Sequence, residues 1–290
     1  TDAVIAACGR KGIRIVFDLD DDLLAVPRDK DPEGTYAASR DSLIKLMRAA
    51  QCVTASTETL AKSLQNYSAR VSILPNLISD RLWFGPVEPV ESLPNEIAGS
   101  RDREIRIVYM GGFTHGEDLA LLRAPMTELM RSNPLVRFFV IGGERQARGW
   151  YTSLPIPHDR KAYPRFVPWL RAIFAQMDFA VAPLVDDSFN SAKSDVKFLE
   201  YSAGGLAGIY SDVVSYRGIV AASGAGLLTA NDEKAWFKAL QVFVADRDRT
   251  SRIGRMARSW VQEHKTLRTG LDEFDAMLRA VVNIEQEGSM

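Results

Sequence analysis

The chain is predicted to be an α/β protein built as two Rossmann-like domains with parallel sheets, on three observations. Short apolar runs of strand length alternate with helical stretches through most of the 290 residues, the pattern of βα units. One of those runs, Phe179–Leu184, is apolar throughout rather than at every second position. That is expected of strands covered by helices on both faces. The alternation is interrupted once, from Gly85 to Asp102, where Pro86, Pro89, Pro94 and Gly99 stand among many charges. Such a stretch reads as an interdomain linker, and two α/β units around it predict a cleft between domains.

In the first half, Val4–Lys11 is expected to be a helix closed by Gly12, followed by a strand at Ile13–Phe17 that ends in the run Asp18-Leu19-Asp20-Asp21-Asp22. Ala37–Ala50 has helical period, with Leu43, Leu46 and Met47 on one face. Cys52–Ala55 reads as a strand, Ser56 and Thr57 as caps of a helix through Leu64, and Val71–Leu74 as a strand stopped by Pro75. Only three strands are thus expected before Gly85. Together with a first residue, Thr1, already inside a helix, this suggests a first domain whose opening strands lie upstream.

The second half offers about six strands. Ile105–Met110 runs into Gly111-Gly112, and Thr114-His115-Gly116-Glu117 reads as a capping box opening a helix to about Arg131. Val136–Ile141 precedes Gly142-Gly143. Tyr163–Phe166 is expected as a short strand and Trp169–Met177 as a helix. Phe179–Leu184, Gly208–Ser211 and Ala225–Leu228 are further strands, and helices are expected at Asp232–Ala245, Arg247–His264 and Leu271–Glu285. The domain boundaries this implies are 1–85, a linker at 86–103, 104–265, and a terminal helix at 266–290.

Composition narrows the function classes. With 36 basic and 37 acidic residues, the net charge is −1, which gives no electrostatic reason for a nucleic-acid partner. Two cysteines, Cys8 and Cys52, make neither a disulfide framework nor a cysteine zinc site, and suit a reducing compartment. His158 and His264 have no metal-ligand spacing, and neither a Ser-His-Asp arrangement nor a Gly-x-Ser-x-Gly elbow is present. No apolar stretch approaches the length of a membrane span, and no signal-peptide pattern opens the chain.

Most of the chemistry is concentrated after the strand at Phe179. A polar loop carries Asn190, Lys193 and Ser194, and a helix is expected to open at Ser194, its N-cap, with Asp195 suiting the positive end of the dipole. Backbone N–H groups exposed there, beside Lys193 and Lys197, suit a phosphate or diphosphate. Glu200 follows Lys197 by three residues, about 4–5 Å of helix rise, so a carboxylate for ribose hydroxyls stands next to the phosphate side. Gly111-Gly112 lets backbone approach a ligand closely, and His115 in the following turn adds a hydrogen-bonding ring.

This segment resembles the donor-binding region of retaining GT-B glycosyltransferases, whose motif is Glu, seven residues, Glu, at the start of a helix in the C-terminal domain. Glu200 falls on the second glutamate, which in that family binds the nucleotide ribose. The first falls on Ala192, and the Asn190, Lys193 and Ser194 loop looks like the variant found in bacterial surface-polysaccharide transferases. The phrases Val53–Leu60 and Ile73–Asn76 look like the end of the family's N-terminal domain, and Ile107–Leu122 like the start of its donor domain. The resemblance implies a GT-B fold and transfer of a hexosyl or deoxyhexosyl group, with retention, from a nucleoside diphosphate sugar to a saccharide or lipid-linked acceptor. It implies a cytoplasmic enzyme of polysaccharide biosynthesis, with peripheral membrane association allowed. Lys193 and Lys197 are then expected to be catalytic, stabilising the departing diphosphate, so that neither metal nor cofactor is required. Gly111, Gly112, His115, Asn190, Ser194, Asp195 and Glu200 are expected to bind the donor.

Asp18, Asp20 and Asp21 are expected to line the acceptor side. Their Asp-x-Asp pattern also occurs in haloacid-dehalogenase phosphatases, although Asp22 stands where that family has Thr or Val, and in the other major glycosyltransferase fold, which is a single compact domain. Arg145 and Arg148 are weaker candidates for the cleft. Two other classes share the predicted architecture: a nucleotide-sugar epimerase, and a non-catalytic binding module of a larger polysaccharide-synthesis protein.

Overall fold

A computed structural model describes residues 1–86, 93–98, 104–112, 115–142 and 149–283. In chain order the elements are α1 (Asp2–Arg10), β1 (Val16–Leu19), α2 (Thr35–Ala49), β2 (Cys52–Ala55), α3 (Glu58–Leu64), β3 (Val71–Ile73) and α4 (Asp80–Trp83). They continue with β4 (Ile105–Met110), α5 (Gly116–Ala120), α6 (Arg123–Ser132), β5 (Val136–Ile141), β6 (Thr152–Leu154), α7 (Tyr163–Phe174) and β7 (Phe179–Ala182). The last are α8 (Val196–Ala203), β8 (Ala207–Ser211), α9 (Val214–Ser223), β9 (Leu227–Thr229), α10 (Glu233–Ala245), α11 (Arg247–His264) and α12 (Leu271–Asn283). The chain divides into two compact units. One comprises 1–76, 187–194 and 269–290; the other comprises 77–186 and 195–268.

The first unit holds a parallel sheet in the order β1-β2-β3, with Phe17 opposite Val53 and Val53 opposite Val71. Leu19, Val53 and Ala55 face Met47 of α2 and Leu60, Ala61 and Leu64 of α3 in one apolar cluster. Cys52 packs with Met277 and Val281 of α12 in a second. The Arg14 guanidinium also donates to the carbonyls of Val281 and Val282, tying the last described helix to the first strand's approach. α3 opens where Thr57 Oγ1 accepts the Leu60 N–H at 3.1 Å, a cap of about 1 kcal/mol.

The second unit is a six-stranded parallel sheet in the order β6-β5-β4-β7-β8-β9. Successive strand residues point to opposite faces. Ile107 and Tyr109 therefore join Phe138, Val140, Val181 and Ile209 under α6 and α10, where Met126, Leu129, Trp236, Leu240 and Phe243 meet them. Val108 joins Phe139, Ile141 and Ala180 under α7, α8 and α11, against Trp169, Phe174, Phe198, Leu199 and Val261. Both faces are covered, which is why apolar residues occupy successive positions along these strands. Strand order reverses between β4 and β7, the place where doubly wound sheets open a crevice at their carboxyl ends.

Several expectations are corrected. The first strand lies at Val16–Leu19 rather than Ile13–Phe17; Gly12 takes a left-handed φ of 62° and Ile13 is left exposed beyond the helix. Tyr163–Phe166 opens α7 and is not a strand: Pro164 sits in the first helical turn, where its missing N–H costs no hydrogen bond. The helix expected through Arg131 is two helices, because Pro125 has no N–H to offer the Leu121 carbonyl. The Thr114 half of the capping box lies outside the described residues, as do Gly143, Arg145, Arg148 and much of the expected linker. α4, β6 and α9 were not expected. Ser194 is not the cap of α8: Asp195 holds the N-cap position, without a side-chain cap bond, and the Ser194 hydroxyl accepts from Asn76 Nδ2 at 2.8 Å instead.

Candidate functional site

In the second unit the reversal of strand order lies between the carboxyl ends of β4 and β7. β4 ends at Met110 because Gly111 turns the chain while its N–H reaches the Ile141 carbonyl at 3.0 Å. A Cβ on Gly111 would collide with the Tyr109 ring and hydroxyl, and one on Gly142, at φ 78°, would stand 2.9 Å from the Gly111 carbonyl. Gly112 has open space where its Cβ would be. Gly111 and Gly142 are thus required by close packing, and Gly112 leaves bare backbone beside the end of β4, where a ligand can approach.

His115 caps the next helix by position, and its Nδ1 lies 2.7 Å from Asp118 Oδ2. Asp118 is fully buried. Its other oxygen accepts the Val185 N–H, just past β7, at 2.8 Å. Burial pushes the Asp118 carboxyl up, but the hydrogen bonds from His115 and Val185 and the nearby charges of His115 and Lys197 outweigh it, so the net shift is down. An ionised Asp118 orients the imidazole and links the turn after β4 to the segment after β7. Beyond β7, Leu184 N–H donates to Ser211 Oγ, whose hydroxyl donates to Asn231 Oδ1 at 2.6 Å, and Asn231 Nδ2 returns to the Leu184 carbonyl. The ends of β4, β7 and β8 are held by these polar bonds.

α8 starts at Val196, and its first N–H groups have no carbonyl a turn back to receive them. It ends in a Schellman arrangement, with Gly205 at φ 83°, Gly205 N–H on the Ser202 carbonyl and Leu206 N–H on that of Tyr201. Its inward side buries Phe198, Leu199 and Tyr201. Tyr201 hydroxyl accepts the Met110 N–H at 2.8 Å, so the helix is pinned to the end of β4. Lys197 Nζ lies 6.0 Å from the Tyr109 ring centroid, and its charge acts on both Asp118 and Glu200.

Glu200 is 6% exposed. Burial raises its pKa to about 7, against the opposing pull of the Tyr163 hydroxyl and Lys197. Tyr163 Oη stands 3.2 Å from Glu200 Oε1 and 3.1 Å from Trp83 Nε1. A carboxylate kept out of water with so little compensation is a common mark of a functional group.

The remaining predicted residues belong to the first unit. Asp18, in β1, accepts from Thr54 Oγ1. Asp20 accepts from Asn76 Nδ2 at 2.6 Å, and the same amide reaches Ser194. Asp21 lies 3.5 Å from Lys193 Nζ, which also sits 4.8 Å over the Phe189 ring. Asp22 is buried and structural, accepting from Ser63 Oγ and the Leu24 N–H. The N–H groups of residues 190–193, expected to be exposed to a ligand, are engaged: Asn190 N–H on Asp187 Oδ1, and Ser191, Ala192 and Lys193 on the carbonyls of Asp187, Phe189 and Asn190. A short 3₁₀ turn at Asn190–Ala192 explains this. Ala192, where the resembled motif has its first glutamate, is buried in the apolar cluster of α2 and α3, a place with no room for a carboxylate.

The structure therefore gathers Gly111, Gly112, His115, Asp195, Lys197 and Glu200 in one unit, and Asp18, Asp20, Asp21, Asn190, Lys193 and Ser194 in the other. Sequence reading missed Asp118, Tyr163 and Trp83. Asp118 stands three residues after His115, a helical pairing distance that could have found it. His264 is a surface residue stacked on Trp260. Among the described residues no three His, Cys, Asp or Glu side chains gather as a metal site.

Residues 104–246 match the family model described as Glycosyl transferases group 1. Among curated proteins no sequence relative matches. Solved structures do. HepE from Anabaena, in complex with UDP and glucose, is 12% identical with a TM-score of 0.67, over 95% of this chain and 74% of that one. The sucrose-phosphate synthase of Thermosynechococcus elongatus is 15% identical, with a TM-score of 0.62 over 96% and 71%. WaaG, a glycosyltransferase involved in lipopolysaccharide biosynthesis, is 15% identical, with a TM-score of 0.63 over 95% and 80%. The fold is that of GT-B glycosyltransferases, and the match to the group 1 glycosyl transferase model lies in the second half of the chain.

Proposed function

We propose that this chain transfers a hexosyl or deoxyhexosyl group from a nucleoside diphosphate sugar to a saccharide or lipid-linked saccharide in polysaccharide biosynthesis, with retention at the anomeric carbon. The observation that carries the reading is Glu200. It is a buried carboxylate one turn from Lys197 at the opening of α8, in a domain that matches group 1 glycosyl transferases. Glu200 orients the nucleotide by accepting from the ribose hydroxyls. Gly111, Gly112, His115 and the α8 N-terminus at Asp195 receive the rest of the donor, and Asn190 and Ser194 shape the loop before it. Retention, and the place of the donor sugar, rest on the resemblance alone, since Ala192 replaces the motif's first glutamate.

In the reaction the bond between the anomeric carbon and the diphosphate oxygen breaks, a bond to an acceptor hydroxyl oxygen forms, and that hydroxyl's proton passes to the departing diphosphate. Negative charge grows on the leaving diphosphate. Lys193 and Lys197 stabilise it, and prepositioned charge of this kind is commonly the largest catalytic contribution. Asp18, Asp20 and Asp21 serve the acceptor side. The reading places the acceptor domain in residues 1–85 and the donor domain in 104–265, working in the cytoplasm at the inner face of the membrane.

A thermal-shift screen across UDP, GDP, ADP and their sugars tests the donor, since a ligand of the native state raises the melting temperature. One nucleoside diphosphate is expected to stand out, and its sugar to be consumed only when acceptor is present. Conversion of the donor without an acceptor, nucleotide sugar conserved, would instead assign an epimerase.

A further inference from the structure

We propose that Trp83 and Tyr163 form a directed hydrogen-bond relay that holds Glu200 as an acceptor for a nucleotide's ribose hydroxyls. The inference rests on the donor site proposed above and names two residues that neither the family motif nor the sequence pattern points to.

The direction of the relay follows from the chemistry of its members. Indole Nε1–H can only donate. Trp83 is fully buried, and its nitrogen lies 3.1 Å from Tyr163 Oη. The phenol must therefore accept from Trp83, which leaves its own single hydrogen for Glu200 Oε1 at 3.2 Å. Glu200 is thereby obliged to accept at Oε1. Among the described residues Glu200 makes this one side-chain hydrogen bond, at Oε1, and with 6% of the residue exposed Oε2 is left for donors from a ligand. A mostly buried carboxylate with one protein donor has acceptor capacity to spare, and a pair of vicinal hydroxyls would fill it.

The relay is built on rigid parts. α4, which carries Trp83, is clamped to α7 by the Arg171 guanidinium, which donates to the carbonyls of Leu82 and Gly85 at 2.8 and 3.0 Å. The Trp83 ring stacks on Phe174 of the same α7, with centroids 6.4 Å apart. Tyr163 is the first residue of α7, and Glu200 projects from α8, whose Tyr201 packs edge-on against Phe174. Three elements thus aim one hydrogen at one carboxylate oxygen. Tyr163 is a positioning residue: it acts on the nucleotide through Glu200.

The readout is ribose discrimination rather than affinity. Dissociation constants are measured by calorimetry for the nucleoside diphosphate selected in the screen of UDP, GDP and ADP, and for its 2′-deoxy and 3′-deoxy forms. The proteins are wild type, Tyr163→Phe, Trp83→Phe and Glu200→Gln. Wild type should prefer the ribonucleotide over at least one deoxy form by on the order of tenfold or more, the scale of a hydrogen bond to a charged acceptor. Tyr163→Phe, which keeps the ring at a half-exposed helix start, should cut that preference to within about threefold, and Trp83→Phe should cut it partly. Full preference retained in Tyr163→Phe, or equal weakening for all three ligands, would show a merely structural hydroxyl and overturn the relay. If no nucleoside diphosphate binds wild type, the donor site itself falls and the relay with it. If wild type binds but does not discriminate, or if Glu200→Gln discriminates unchanged, Glu200 is not the ribose acceptor and the relay has no function.

Discussion

Glu200 holds its carboxyl where ionisation is resisted, and the consequence is readable in pH. Burial raises its folded-state value to about 7 from the usual 4.5, so the folded chain keeps this proton over a range where the unfolded chain has lost it. Stability contributed by the neutral form is therefore complete below about pH 4.5 and is lost as pH rises towards 7, a total of roughly 3 kcal/mol. Urea melts at about pH 5 and pH 8 should show a fall in wild type that Glu200→Gln largely lacks; equal falls in the two proteins would place the titration elsewhere. Nucleotide affinity should move the opposite way, strengthening as Glu200 ionises. The two lysines are expected to differ. Lys193→Ala should lower turnover by on the order of 10²-fold, by removing charge where the leaving group develops, and Lys197→Ala should do less, standing inside the helix. Steady-state kinetics that leave Lys193→Ala with a near-normal kcat/KM would remove it from the reaction.

Elements in this protein meet through glycine as much as through side chains. Gly254 of α11 lies where an added Cβ would meet the Gly205 carbonyl and the Ala207 nitrogen, backbone that cannot step aside. Gly254→Ala should therefore cost about 1–3 kcal/mol by forcing α11 off the turn between α8 and β8. Gly218→Ala, at an exposed position of α9 with nothing within 4 Å, should stabilise by about 0.5–1 kcal/mol. Denaturant melts of the pair check both signs. The same contrast explains what could be read from the sequence. β2, β4 and β5 fall at their expected bounds because each is mostly apolar and of strand length, with turn or capping residues beside it. The opening of α7 was misread because Tyr163 and Phe166 favour strands while the helix owes its place to the packing of Val167, Trp169 and Phe174. α4 and β6, of four and three residues, carry no period to recognise. The site divides in the same way. Lys197 and Glu200 were legible because helix spacing joins them, whereas Trp83, Tyr163 and Glu200 are 80 and 37 residues apart, and only the fold brings them together.

At the scale of the molecule, both apolar clusters of the six-stranded sheet draw only on residues of the second unit. A piece comprising residues 77–268 should therefore unfold in one cooperative step and still bind the selected nucleoside diphosphate in the thermal-shift screen. A broad, non-cooperative melt would show that the sheet depends on the rest of the chain. The first unit has no such independence, because its second cluster needs Met277 and Val281 from α12. Synthesis by the ribosome gives that dependence a direction in time. At about 5–20 residues per second, the roughly 200 residues between β3 and the end of α12 take about 10–40 seconds to emerge. For that interval β1, β2 and β3 wait with the Cys52 side of their sheet uncovered, while the larger unit, started later, can close first. Translation halted just after residue 268 would leave the unit begun second finished and the three-stranded sheet before it without the α12 residues of its second cluster.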